Sequence, residues 1–70
     1  MSDLIEKVNL ARRLAKAVLR ITAVAMTDPE GSVRQILDLK KRNPDREKPI
    51  EDAYRRYLVE LGITTVAVPA

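Results

Sequence analysis

The sequence predicts an all-α fold: three helices near residues 3–26, 29–42 and 49–61, an apolar tail at 62–70, and assembly as a homodimeric helical bundle. Three observations lead there. No glycine or proline interrupts Asp3 to Met26, so about 36 Å of continuous helix is expected. Prolines stand at positions 29, 44 and 49, where they open helices or break them. Ile50, Ala53, Tyr54, Tyr57, Leu58 and Leu61 recur at i, i+3, i+4, i+7, i+8 and i+11, the period of one helix face.

The first helix sets the expectations for assembly. Ser2 is suited to its N-cap, and Asp3 and Glu6 near its start complement the positive end of the helix dipole. Its polar side chains gather on one stripe: Glu6, Asn9, Arg12, Arg13, Lys16 and Arg20. The apolar remainder, from Leu4 through Val8, Leu14, Val18 and Ile21 to Met26, covers roughly 200° of its surface, about twice what one neighbour buries. One helix therefore asks for two partners. Helices two and three, at about 20 Å each, match its length when laid end to end. They would cover one flank and leave the other, with Leu14, Val18 and Ile21 as the candidate dimer face, for a second copy.

Thr27-Asp28-Pro29-Glu30 ends the first helix and starts the second. Thr27 with Glu30 has capping-box spacing, and Asp28 before Pro29 is an N-cap with proline at the first helical position. Gly31 is expected to weaken that first turn by roughly 1 kcal/mol relative to alanine. Val33, Ile36 and Leu37 form the inward face, with Leu39 to one side, and Lys40-Lys41-Arg42 suits the negative helix end. Asn43 to Pro49, with two prolines, Asn and Asp, reads as a linker. Pro49 then opens the third helix. Tyr54, Tyr57, Leu58 and Leu61 are its expected core residues, and Gly62 its C′ residue.

After Gly62 the chain carries no charged side chain and is rich in β-branched residues. Such a tail either covers its own bundle or pairs with another chain, with Ile63, Val66 and Val68 as the candidate partner-binding residues. Covering its own bundle is the favoured of the two, because an exposed strand is a hazard that folded chains cover.

Bulk composition argues the same way about assembly. Seventy residues make a single domain near the lower limit of a self-sufficient core, where disulfides, a metal or oligomerisation usually assist. Cysteine and histidine are absent, which excludes disulfides and the common zinc frameworks. Oligomerisation remains. With no Phe or Trp and 2 Tyr, the core must be aliphatic. No uncharged run approaches the ~18 residues of a membrane span. Acidic residues where a secretory signal would be positive, and within what would be a matrix-targeting helix, argue for a cytoplasmic protein.

The same inventory excludes most catalysis. Without Cys or His, nucleophiles reduce to Ser2, Ser32, threonines, tyrosines and lysines, and both serines are explained by their places at helix starts. Glu51 and Asp52 diverge by about 100° on a helix and form no dyad. The two glycines build no phosphate loop. No catalytic, metal or cofactor residue is therefore assigned. Arg12, Arg13, Lys16 and Arg20 line one face with Glu6 as the only acid, a stripe able to follow a phosphate backbone. Net charge is +3, which permits an acidic partner without demanding one. The absence of aromatic platforms and of a helix-turn-helix argues against base recognition. The expected function is a small non-enzymatic interaction module, a regulator or adaptor acting on another protein as a homodimer. A basic nucleic-acid-binding dimer is the alternative, and a small helical enzyme with a site between subunits the third. No motif is specific enough to carry a family name.

Overall fold

The structure, a computed structural model, describes residues 2–64 and 66, the side chain of Ser2 excepted. It is all-helical, with α1 (Ser2–Val24), α2 (Pro29–Arg42), a single 3₁₀ turn (Pro44–Arg46) and α3 (Glu47–Glu60), and no strand among the described residues. Each helix packs on the other two. Because α2 and α3 are side by side, not end to end as their lengths had suggested, both cover the C-terminal half of α1. The molecule is accordingly elongated, 42 × 21 × 17 Å.

The core is one cluster, aliphatic but for Tyr54: Val18, Ile21 and Ala25 from α1 and its end, Ile36 and Leu39 from α2, and Ile50, Tyr54 and Leu58 from α3. At its centre three helices meet on a hydroxyl. Ser32 is fully buried. Its Oγ donates to the carbonyl of Ile21 at 2.7 Å and lies 2.8 Å from the Tyr54 hydroxyl. A serine has one proton, and the carbonyl can only accept, so Tyr54 donates to Ser32. Ser32 lies in the first turn of α2, as expected, but its hydroxyl does not cap that helix. Instead it satisfies a carbonyl at the end of α1, where intrahelical donors run out.

The other carbonyls of that end are met by tight bonds from the turn. Ala25 N donates to Thr22 O, Met26 N to Ala23 O, and Thr27 N and Asp28 N to Val24 O. These bonds wind the chain out of α1 at Val24, two residues before the expected end. Thr22, also fully buried, turns its hydroxyl onto Val18 O at 2.7 Å.

Of the two capping patterns at the next start, Asp28 is the one used. Its Oδ1 accepts from Gly31 N at 3.0 Å, while the Thr27 hydroxyl goes back to Val24 O at 3.3 Å. Gly31 is more than a weak helix former here. A Cβ at that position would collide with the Asp28 carboxyl, lying 2.7 Å from its Cγ. The cap thus needs the glycine, and the register it sets turns Ser32, Ile36 and Leu39 inward. Leu37, expected inside, is exposed as a result.

Two expectations for α3 are also revised. Part of the expected linker is structured: Asn43 Nδ2 donates to Leu39 O at 2.9 Å, the 3₁₀ turn follows, and α3 begins at Glu47 with Pro49 its third residue. That position tolerates proline because the first amides of a helix have no intrahelical acceptor. At the far end α3 stops at Glu60. Gly62, at φ +70°, donates to Val59 O at 3.0 Å, and Ile63 N to Leu58 O at 2.9 Å, the paired bonds of a Schellman motif. Leu61 therefore faces solvent at 43% exposure, and Tyr57 is only half-buried. Ile63 takes the place on the core that the helical period had assigned to Leu61.

The buried hydroxyls give a stability test. Ser32→Ala strands the Tyr54 hydroxyl without an acceptor and should cost about 1–3 kcal/mol in urea denaturation. Adding Tyr54→Phe removes the stranded group, so the double variant should be no less stable than Ser32→Ala alone. Additive losses would mean the two hydroxyls are not coupled.

Candidate functional site

Of the expected dimer face, Val18 and Ile21 are buried in the chain's own core, and Leu14 packs against that core at the edge of a cleft. The broad apolar arc nevertheless leaves residues over. Asp3 to Asn9 are exposed throughout, because α2 and α3 do not reach the first turns of α1. Leu4 is 68% and Ile5 62% exposed, and Val8, Leu19 and Met26 also face solvent. Leu4, Val8, Ala11, Ala15 and Leu19 share one flank of about 80°, adjoining the face buried in the bundle.

That flank leads into an apolar cleft between α1 and the start of α3. The cleft holds about 100 Å³ and is lined by Ala11, Leu14, Ala15 and Val18 on one side and Arg46, Pro49, Ile50 and Ala53 on the other. It exists because α1 presents alanines where α3 begins, so the helices meet without large side chains between them. Arg46, from the 3₁₀ turn, brings a charge to this apolar wall. Among the described residues its buried Nε has no hydrogen-bond partner, and an unsatisfied buried donor costs about 1–3 kcal/mol. In the sequence Arg46 is one of several basic residues diluted by neighbouring acids in an expected linker, with nothing to set it against α1.

The basic stripe lies where it was expected. Arg12, Arg13, Lys16 and Arg20 are all exposed, on the side of α1 turned away from α2 and α3. The ion pairs among the described residues are Arg42–Asp38 and Arg55–Glu51, so the stripe's four cations are not neutralised by them. A further group of basic residues, Lys40, Lys41, Arg42, Arg46 and Lys48, is interspersed with Asp45 and Glu47 at and after the end of α2, and Arg42 is paired with Asp38.

The described part of the tail is on the bundle: Ile63 and Val66 both pack against the core. Val68, the third candidate partner-binding residue, lies outside the described residues. Among the described residues no group of three or more carboxylates is placed to hold a metal ion, and no helix is long and apolar enough to cross a membrane. Compared with protein-family models, curated proteins and solved structures, the chain finds no match.

The swap of Leu61 for Ile63 is directly measurable. Ile63→Ala should lower stability by about 2–4 kcal/mol, within the range for large-to-small changes at a packed site. Leu61→Ala should stay within about 0.5 kcal/mol of wild type. Equal losses in thermal denaturation would place Leu61 inside after all.

Proposed function

We propose that the protein is a small non-enzymatic interaction module that works as a homodimer and presents its outer surface to another protein as a regulator or adaptor. The observation that supports this most is the uncovered half of α1. The C-terminal half of the same helix supplies Val18 and Ile21 to the core, while Leu4, Ile5 and Val8 are exposed to solvent. Leaving them there forgoes about 1.5–3 kcal/mol for each large side chain that a partner could bury. A 70-residue chain with one aliphatic core has little stability to spare for idle apolar surface.

A second reading rests on the basic stripe, whose four exposed cations are outside the described ion pairs. On that reading the dimer carries two such stripes and binds the phosphate backbone of nucleic acid without reading bases.

Sedimentation from nanomolar to high micromolar protein tests the first reading. The expected result is a monomer–dimer equilibrium that Val8→Asp abolishes while leaving helicity and the urea midpoint of the dilute protein unchanged. A protein that is monomeric throughout contradicts it. Pull-down from lysate with and without nuclease separates the readings: material retained only in the absence of nuclease, and lost in Arg13→Glu/Arg20→Glu, favours nucleic acid.

A further inference from the structure

The cleft and the bare helix end have complementary chemistry. The cleft is apolar, with the small side chains Ala11 and Ala15 on one wall and Arg46 on the other, and among the described residues the buried Nε of Arg46 has no acceptor. The first turn of α1 offers a large exposed apolar side chain, Leu4, with the exposed Asp3 about 100° round the helix on the Leu14 side. One surface has room for an aliphatic group with a cation to one side, and the other offers an aliphatic group with an acid to one side.

Resting on the homodimer reading, we propose that each cleft receives the first turn of α1 from a second copy, with Leu4 over Ala15 and the Asp3 carboxylate paired with the Arg46 guanidinium.

The spacing along α1 allows both halves of this contact at once. Leu4, Val8, Ala11 and Ala15 are separated by four, three and four residues and fall within about 60° of arc, one straight seam. Set two such seams antiparallel about a two-fold axis between Val8 and Ala11. Leu4 of each chain then faces Ala15 of the other, and Val8 faces Ala11. The two large residues meet the two small ones, which lets the helices approach closely and fills the cleft from outside. Because the arrangement is isologous, each contact forms twice.

The charge falls on the correct side. On α1, Asp3 lies on the flank of Leu14, the residue that lines the cleft toward α3. In an antiparallel pair related by that two-fold, like flanks of the two helices lie on the same side. Asp3 of one chain is therefore directed to the side where Arg46 of the other sits. A carboxylate is the partner that the guanidinium calls for. Without the second copy the site is incomplete. The overlap spans about 17 Å of helix, short for an obligate interface, so the self-association it provides is weak and reversible.

The test uses the full chain, three single variants and one double variant, each checked at nanomolar concentration for an unchanged urea midpoint. Ala11→Trp fills the cleft from an exposed position and should abolish self-association. Asp3→Arg and Arg46→Asp should each weaken it by about tenfold or more, and the two together should restore it, because the charges are exchanged. The ¹⁵Nε resonance of Arg46 should shift as wild-type protein is diluted through the dimer range. Dimerisation that survives Ala11→Trp, or a charge exchange that fails to restore it, overturns this inference while leaving the homodimer reading standing. A monomer at every concentration overturns both. If dilution leaves the Arg46 resonance unmoved but added hexanoate shifts it, the cleft takes a small carboxylate and not a second copy, and the inference falls.

Discussion

The Ser32 hydroxyl is the constraint on which the arrangement of this chain depends. It is buried, it donates to the last turn of α1, and it accepts from Tyr54 of α3. A polar group in an aliphatic core is tolerated only when its partners are in place, so the three helices must cross where Ser32 can reach both. Asp28 fixes how α2 leaves the turn, and Gly31 gives its carboxyl room. Ser32 comes next, inside the first turn. Ile36 and Leu39 follow it inward. Tyr54 brings α3 against the same half of α1, with Ile50 and Leu58 on either side. The node therefore decides which half of α1 is covered, and by exclusion which half is not.

Much of the fold was legible because it is punctuated. Asp28-Pro29 and Gly62 mark helix ends through local chemistry that no tertiary contact overrides, and α2 runs over the expected residues 29–42. The inward residues of α3 up to Leu58 followed from period alone. Ser32 did not, because a polar residue on a helix is assigned outward by any periodic rule, and its partners lie 11 and 22 residues away. The mistaken pair Leu37 and Leu61 have separate causes. Leu37 went out because the hydroxyl claimed the inward direction. Leu61 went out because the helix period was extended one residue past Glu60, onto the C-cap itself. The signal for Ile63 was present: the residue after a C′ glycine packs back on the one five before it, here Leu58. Misassignment of Val18 and Ile21 had a different root. The breadth of the apolar arc was read correctly, but sequence does not say which flank a chain keeps for itself.

The result is a helix with two lives. Its C-terminal half is a core element, held on two sides. The turns from Asp3 to Asn9 are exposed all round and have only their own backbone bonds and continuity with the rest of α1. Isolated helix of that length is marginal in water, and extension from a formed helix removes the nucleation cost without adding burial. Such a segment opens at low free energy, far below that of the core. A partner laid against it would gain the burial of Leu4, Ile5 and Val8 and also suppress that fraying. The basic stripe on the outer side would remain in solvent in either state, available to an acidic surface.

Amide hydrogen exchange along the chain at several protein concentrations tests this division most directly. The account predicts that amides from Val18 to Ala25, around Ser32 to Leu39, and from Tyr54 to Leu58 are protected equally at every concentration. Amides from Val8 to Ala11 should exchange quickly in dilute protein and slow as concentration rises. Core protection that disappears on dilution would contradict it, because the three-helix node would then not hold without a second chain. So would fast exchange from Val8 to Ala11 at all concentrations, which would leave the exposed half of α1 without a partner.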